Sequence, residues 1–224
     1  MREIEFANGE YYHVFNRGTD KRVIFCDEED FQRFFQSMRE FNVLEPIGSI
    51  YENSFRELGS LASKLSESYS DLISFVCYCL NPNHFHFVLQ QRTERGIEKF
   101  MHRLGTGYTK YFNQKYNRSG GLFQGTFKAI HIDGNDYLLH LSAYVNLNAR
   151  VHKLGSLASK SSWGEYMYGT RGFCEKDIIL GQFNNTEEYK QFSESSLLDI
   201  QERKSEMKEF LLEEVGLGSL SSKS

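Results

Sequence analysis

The sequence contains very little proline and a single tryptophan. Two of its 224 residues are proline, whereas aromatic residues make up 15% of the chain and apolar residues 40%. Disordered and linker-rich proteins have the opposite composition, so that class is excluded for most of the chain. A chain of this length can bury a sizeable core, and we expect one ordinary domain with peripheral additions.

The sequence also lacks a cysteine pattern and any long apolar run. Its four cysteines (Cys26, Cys77, Cys79 and Cys174) have neither zinc-ligand spacing nor the density of a disulfide scaffold, so we expect reduced thiols. No segment is long and apolar enough to be a signal peptide or to span a membrane. We therefore expect a cytoplasmic protein.

The net charge of −4 would ordinarily argue against a nucleic-acid partner, but the charges are unevenly distributed. From Arg92 to Lys128 there are eight basic residues and two acidic ones, whereas the chain from Glu175 onward has eleven acidic and six basic residues. The middle segment is thus typical of a surface that faces phosphates, and the C-terminal segment is not.

Hydrophobic periodicity predicts alternating strands and helices. We expect strands at about 10–16, 71–80, 84–90 and 122–132, and helices at about 28–41, 94–116 and 136–148. The order β-α-β-β-α-β-α predicts an α+β protein, a ferredoxin-like antiparallel sheet with helices packed on it.

Three copies of one short segment interrupt this pattern. Residues 58–64 (LGSLASK) recur unchanged at 154–160 and with one substitution at 217–223. We interpret the copies as insertions at tolerated positions. We divide the chain into a core domain at 1–150 with an inserted loop near 46–70, a small helical appendage at 151–195, and an acidic C-terminal helix or tail at 196–224.

Two histidines lie on the predicted third strand. Because side chains alternate along a strand, His84 and His86 point to one face while Phe85 points to the other. Two neutral imidazoles suit a divalent ion, which would polarise a bound phosphate. Packed or surface histidines are the alternative interpretation.

The last predicted core helix carries a tyrosine and an amide one turn apart. His140, Tyr144 and Asn148 follow at four-residue steps, which predicts a shared face. Tyr144 could act as a phenolic nucleophile on a phosphodiester. An ordinary half-buried aromatic is the alternative, and Tyr137 is a competing nucleophile, although it has Leu141 rather than an amide four residues on.

Four strings of this sequence resemble the single-tyrosine HUH transposases, and most closely the REP-associated tyrosine transposases. They are YHVFNRG at 12–18, NPNHFHF at 81–87, GLFQGTFK at 121–128 and YVNLN at 144–148. The resemblance implies an HUH nuclease core, with Mg²⁺ or Mn²⁺ bound by His84, His86 and Asn148. It further implies attack by Tyr144 on single-stranded DNA through a 5′-phosphotyrosine intermediate, at hairpins formed by palindromic repeats.

Six basic residues are candidate DNA contacts. Arg103, Lys110, Lys115 and Arg118 belong to the basic segment, in which aromatic residues at helical spacing could also stack on bases or form the core. Arg17 and Lys128 lie in the family-like strings. Two alternatives stay open, a domesticated nucleic-acid-binding protein that does not cut and a replication-initiator nickase. The protein could be a monomer or a homodimer.

Overall fold

The computed structural model describes residues 4–48, 50, 71–151 and 159–202, with side chains up to residue 197. In these residues, five strands form one antiparallel sheet in the order β4-β1-β3-β2-β5. The strands are β1 (Tyr11–Arg17), β2 (Ile73–Asn81), β3 (His84–Gln91), β4 (Lys128–Ile132) and β5 (Lys160–Ser161). The helices are α1 (Glu28–Glu40), α2 (Gly96–Lys115), α3 (Asn135–Val151), α4 (Trp163–Tyr168), α5 (Asp177–Leu180) and α6 (Thr186–Glu202).

The predicted α+β fold is confirmed. The first four strands and two helices follow the order β-α-β-β-α-β, and the strands lie side by side as β4-β1-β3-β2, which is the ferredoxin-like arrangement. The short β5 extends the sheet beyond β2. None of the helices in the described residues is long and apolar enough to cross a membrane.

One face of the sheet is covered by α1 and α2 through an aromatic core. The ring of Phe34, on α1, packs against Phe85 and Phe87 of β3 and edge-on against Tyr108 of α2. The Tyr108 hydroxyl donates to the carbonyl of Ile24 at 2.6 Å, so this buried phenol is satisfied. The aromatic residues at helical spacing are thus mainly core residues.

Helix α1 begins where the sequence provides an N-cap. The Asp27 carboxylate accepts a hydrogen bond from the backbone N–H of Asp30 at 3.0 Å, and further acidic residues in the first turn interact favourably with the helix dipole. Asp30 itself is fully buried and accepts hydrogen bonds from Tyr111, Tyr116 and Lys115. This buried carboxylate therefore joins α1 to the end of α2.

The opposite face of the sheet is covered by α3, which in turn is covered by α6. Leu141 and Val145 of α3 lie in one buried cluster with Val88 of β3. On the far side of α3, the hydroxyl of Tyr189 from α6 lies 3.0 Å from Ser142 Oγ and accepts from Asn146 Nδ2 at 3.0 Å. Helix α3 is therefore buried between the sheet and α6.

The predicted fourth strand is too long at its start, because β4 begins at Lys128 rather than Leu122. Residues 122–127 cross the end of β1 instead. Phe123 forms an isolated bridge with Gly18, and Gly125 has a φ of 67°, which turns the chain before pairing begins. Gly18 itself has no room for a side chain, because a Cβ there would clash with the carbonyl oxygen of Arg22.

The division into three segments stays a prediction. Helices α4, α5 and α6 do form in and beyond the segment predicted as a helical appendage, and α6 continues across its predicted end to Glu202. The inserted loop at 51–70, the repeat copies at 58–64 and 217–223, and the tail after residue 202 lie outside the described residues. Of the middle copy, Ser159 and Lys160 are described.

Candidate active site

His84 and His86 lie at the start of β3, on the face that α3 covers. They are 4% and 1% exposed, and their ring centroids are 5.2 Å apart with perpendicular planes. In the sheet, His84 is paired with Arg17 and His86 with Phe15 of β1. Strand alternation thus brings the two imidazoles together as the sequence predicts.

The hydrogen bonds of His84 fix its tautomer. Its Nδ1 lies 2.6 Å from Asn83 Oδ1, which can only accept, so Nδ1 carries the proton. Its Nε2 then accepts a hydrogen bond from Asn81 Nδ2 at 2.9 Å. The lone pair of Nε2, the electron pair that a metal ion would use, therefore points toward the Asn81 amide.

Asn148 meets His84 at that same amide. Asn148 Oδ1 accepts from Asn81 Nδ2 at 2.5 Å, and both asparagines are fully buried. Asn148 Nδ2 is buried and has no hydrogen-bond partner among the described residues. His84 Nε2 and Asn148 Oδ1 therefore converge on one positively polarised NH₂ group.

Asn81 and Ser159 take part in this site although the sequence did not indicate them. Asn81 is the first residue of the family-like string at 81–87, from which it received no role, yet its Oδ1 accepts from Ser159 Oγ at 2.9 Å. Ser159 belongs to the middle repeat copy, and the next residue, Lys160, forms an ion pair with Glu28 at 2.8 Å. The end of this copy is thus part of the packed structure and contributes to the site.

A third histidine contacts His86. His13 Nε2 lies 3.0 Å from His86 Nδ1, and the rings are stacked with centroids 5.2 Å apart. Burial lowers the pKa of His13 to about 3, so the imidazole is neutral. His13 lies in the first family-like string, and its place beside His86 follows from the pairing of β1 with β3, which a sequence pattern alone does not give.

Tyr144, on α3, packs against the histidine pair. Its ring lies edge-on to His86, with centroids 5.7 Å apart, and the residue is 2% exposed. The competing tyrosine, Tyr137, lies two turns earlier and is partly buried. Burial, and secondarily the charge of Asp133, raises the pKa of Tyr137 to about 12. The contact with His86 favours Tyr144.

His140 does not share the face of Tyr144 and Asn148. Its Nδ1 lies 2.9 Å from Ser196 Oγ, and its ring packs on Phe192, so it faces α6. A step of four residues exceeds one helical turn by about 40°, so two steps rotate the side chain by about 80°. That rotation separates His140 from Asn148.

The candidate ligands form a mixed set of nitrogen and oxygen donors. Within the described residues, no three histidine, cysteine, aspartate or glutamate side chains are grouped so that they could hold a metal ion. Two imidazoles with the Asn148 amide oxygen nevertheless fit a divalent ion, because His84 Nε2 and Asn148 Oδ1 already converge on one point. The set differs from the all-oxygen sites that Mg²⁺ prefers.

Several of the predicted DNA contacts have partners within the protein. Arg103 donates to the carbonyls of Val43 and Leu44, at 2.5 and 3.0 Å. Lys115 lies within 3.0 Å of three carboxylates, those of Asp27, Glu29 and Asp30.

Of the remaining candidates, Arg17 and Arg118 are partly buried and also have partners within the protein. Arg118 donates to Asn113 Oδ1 at 2.7 Å, and the Arg17 guanidinium donates to Gln124. Lys110 and Lys128 are exposed. Lys110 lines a groove of about 890 Å³ beside α2, together with Lys99, Gly105 and Thr109.

Comparison with known proteins agrees with the sequence resemblance. The family described as "Transposase IS200 like" matches residues 50–148, somewhat less than half of the chain. This segment is therefore similar to the IS200-like transposases. It contains β2, β3, α2, β4 and most of α3, and with them both histidines, Tyr144 and Asn148. The predicted resemblance to transposases is confirmed.

No curated protein shows significant sequence similarity to the chain. Among solved structures, one titled "Structure of the REP associates tyrosine transposase bound to a REP hairpin" matches with a TM-score of 0.48 and 12% identity. The match covers 77% of this chain and 88% of the other. The similarity to transposases thus rests on residues 50–148.

Proposed function

We propose that this IS200-like protein cleaves and rejoins single-stranded DNA through a covalent link to Tyr144. The observation that carries the proposal is the contact of the Tyr144 ring with His86, 5.7 Å between centroids, within a site that also contains His84 and Asn148. A phenol, two imidazoles and an amide suit covalent catalysis on a phosphodiester.

In the proposed reaction the Tyr144 oxygen attacks the scissile phosphorus. A bond forms between that oxygen and phosphorus, the bond from phosphorus to the 3′-oxygen breaks, and the phenolic proton is lost to a base. The leaving 3′-oxygen takes up a proton, so the products are a 5′-phosphotyrosine and a free 3′-hydroxyl. Rejoining is the reverse, so no nucleotide cofactor is needed. Tyr144 is 2% exposed, so neighbouring side chains have to move before a phosphate can reach it.

His84, His86 and Asn148 would hold a divalent ion, Mg²⁺ or Mn²⁺. The ion would polarise the phosphate and stabilise the charge that develops on it. The chain's own residues fix the ligand side of the site. Asn83 orients His84, and His13 lies against His86. The two imidazole ligands favour Mn²⁺ as the first ion to test.

The substrate would be hairpin-forming single-stranded DNA, as the similarity of the four sequence strings to REP-associated tyrosine transposases suggests. The groove beside α2 supports DNA binding, because exposed lysines line it and Gly105 leaves the helix backbone accessible. Lysine side chains can neutralise backbone phosphates without reading sequence. The side chain of Phe85, which separates the two histidines on β3, also lines this groove. The groove and the two histidines thus lie on opposite faces of the sheet, at the start of β3.

The experiment is incubation of the protein with labelled single-stranded hairpin oligonucleotides and Mn²⁺, followed by denaturing gel electrophoresis. The oligonucleotides should include those from the repeat-coding segments of its own gene. Wild type should give a slowly migrating covalent adduct and a shortened DNA product, Tyr144→Phe should give neither, and Tyr137→Phe should behave as wild type. An adduct that persists in Tyr144→Phe would contradict the assignment. Binding without cleavage by wild type would favour the alternative, a domesticated binding protein.

A further inference from the structure

Asn81 occupies the position at which the candidate metal ligands converge. Both of its amide hydrogens are used, one on His84 Nε2 at 2.9 Å and one on Asn148 Oδ1 at 2.5 Å. An ion bound to these two atoms would compete with the amide for the same lone pairs. Asn81 must therefore change its orientation, or move, whenever the ion binds.

The other side of the amide can accommodate that change. Asn81 Oδ1 accepts from Ser159 Oγ at 2.9 Å and from Cys79 Sγ at 3.5 Å. A hydroxyl and a thiol can each accept as well as donate a hydrogen bond. If the amide rotated by a half turn about its Cβ–Cγ bond, Nδ2 could donate to the same two groups.

Rotation would direct Asn81 Oδ1 toward His84 Nε2 and Asn148 Oδ1. Three acceptors that face one another repel without a cation, and they attract one when it is present. The orientation seen here, with the NH₂ group inward, is thus the stable one without an ion. The inward oxygen would add a hard ligand of the kind that Mg²⁺ and Mn²⁺ prefer.

We propose that Asn81 is a further metal ligand, switched into place by rotation of its amide and held by Ser159 in both orientations. The proposal rests on the proposed metal-dependent function. It also gives the middle repeat copy a role, because its Ser159 keeps the amide hydrogen-bonded in either state.

The substitution Asn81→Asp distinguishes a role of Asn81 as a metal ligand from a role as a structural hydrogen-bond donor. Asn81→Asp has oxygens only, so it can bind an ion and accept from Ser159, but it cannot donate to His84 or Asn148. Asn81→Leu has a similar volume but can neither bind an ion nor form any of these hydrogen bonds. If Asn81 is only a structural hydrogen-bond donor, both variants should lose Mn²⁺ affinity equally. If Asn81 is a metal ligand, only Asn81→Leu should lose Mn²⁺ affinity.

The experiment is calorimetric titration of the full chain with Mn²⁺, without DNA, together with thermal unfolding. Asn81→Asp should bind Mn²⁺ at least as tightly as wild type, and Asn81→Leu at least tenfold more weakly. Mn²⁺ should also raise the Tm of Asn81→Asp more than that of wild type, because the ion relieves the repulsion among buried acceptors. Asn81→Ala replaces the leucine variant if that variant does not fold.

Two results would overturn the role of Asn81 while leaving the metal site intact. One is Mn²⁺ binding by Asn81→Asp as weak as by Asn81→Leu. The other is wild-type affinity in Asn81→Leu. A different result, no Mn²⁺ binding by wild type or equal binding by wild type and His84→Ala, would overturn the metal site itself, and the switched ligand with it.

Discussion

Nδ1 of His86 lies 3.0 Å from Nε2 of His13, so two buried imidazoles share a single proton. If His86 binds an ion through Nε2, its Nδ1 must carry that proton and His13 must accept it. Such a partner of a metal-binding histidine fixes the tautomer and the ring orientation. His13 would then be a positioning residue rather than a ligand.

The first prediction concerns this partner. His13→Phe removes this acceptor from His86 Nδ1–H and should weaken Mn²⁺ binding by about 10- to 100-fold, the range typical of such partners. His13→Gln retains an acceptor oxygen and should lose less Mn²⁺ affinity than His13→Phe. Titration calorimetry measures both. His131→Gln, at an exposed histidine of β4 that pairs with Glu10, is the matched control and should bind as wild type. Equal affinity in His13→Phe and wild type would disprove the positioning role.

The sequence predicted the order of the elements and the strand on which the histidines lie, because apolar periodicity and alternation are local properties. It did not predict the start of β4, which depends on the crossing of residues 122–127 over the end of β1. The prediction that His140 shares the face of Tyr144 and Asn148 was also wrong, because spacing alone does not show that α6 covers α3. His13, Asn81 and Ser159 enter the site through sheet pairing and side-chain contacts between distant segments.

The basic segment shows why local charge did not identify the surface by itself. Charge counting treats Lys110 and Lys115 alike, yet Lys110 is exposed whereas Lys115 is bonded to buried Asp30 and to Asp27. Only tertiary structure separates a residue that can meet a phosphate from one that neutralises a neighbouring carboxylate.

The second prediction follows from that difference. Lys110→Gln and Lys128→Gln should each weaken binding to single-stranded DNA and reduce the salt-dependence slope by roughly one, without changing stability. Lys115→Gln should leave the slope unchanged. It should lower the free energy of unfolding by about 1.5–3 kcal/mol, because buried Asp30 loses a charged hydrogen-bond donor. Fluorescence anisotropy at several salt concentrations and urea unfolding measure the two effects. A slope that changed in Lys115→Gln alone would reverse the assignment.

The third prediction concerns the packing of α6 on α3, the helix that carries Tyr144. The buried Tyr189 hydroxyl satisfies Asn146 and contacts Ser142, and burial raises the pKa of Tyr189 to about 12. Tyr189→Phe leaves the buried Asn146 amide without this acceptor and should lower the free energy of unfolding by about 1–3 kcal/mol. Urea denaturation measures the change. Tyr168→Phe, at a residue that is 78% exposed, should cause no measurable loss. Similar stabilities of the two variants would show that the contact does not fix α6 on α3.

The fourth prediction is a pH dependence at the start of α1. The Lys115 ammonium, and then the backbone N–H of Asp30, hold the pKa of Asp27 below its usual range. A depressed carboxyl pKa means that the unfolded state takes up the proton first, so stability falls as the pH falls below about 4, the usual value for aspartate. Asp27→Asn keeps the helix cap and removes the charge.

Wild type should therefore be more stable than Asp27→Asn at pH 7, by no more than about 1 kcal/mol because the pair is partly exposed. The difference should shrink as the pH is lowered through 4 toward 3. Asp27→Ala, which also removes the helix cap, should be less stable than Asp27→Asn by about 1 kcal/mol at every pH. Thermal or urea unfolding from pH 3 to pH 7 measures the three proteins. A difference between wild type and Asp27→Asn that grew on acidification would contradict the assignment.

Mass spectrometry of the trapped adduct is the sharpest test of the proposed covalent bond between Tyr144 and DNA. The protein is incubated with hairpin DNA and Mn²⁺, the DNA is digested with nuclease, and the protein is digested with protease. We expect a nucleotide remnant, joined through a 5′-phosphate, on the peptide that contains Tyr144. A remnant on Tyr137, or on any other residue, would contradict it.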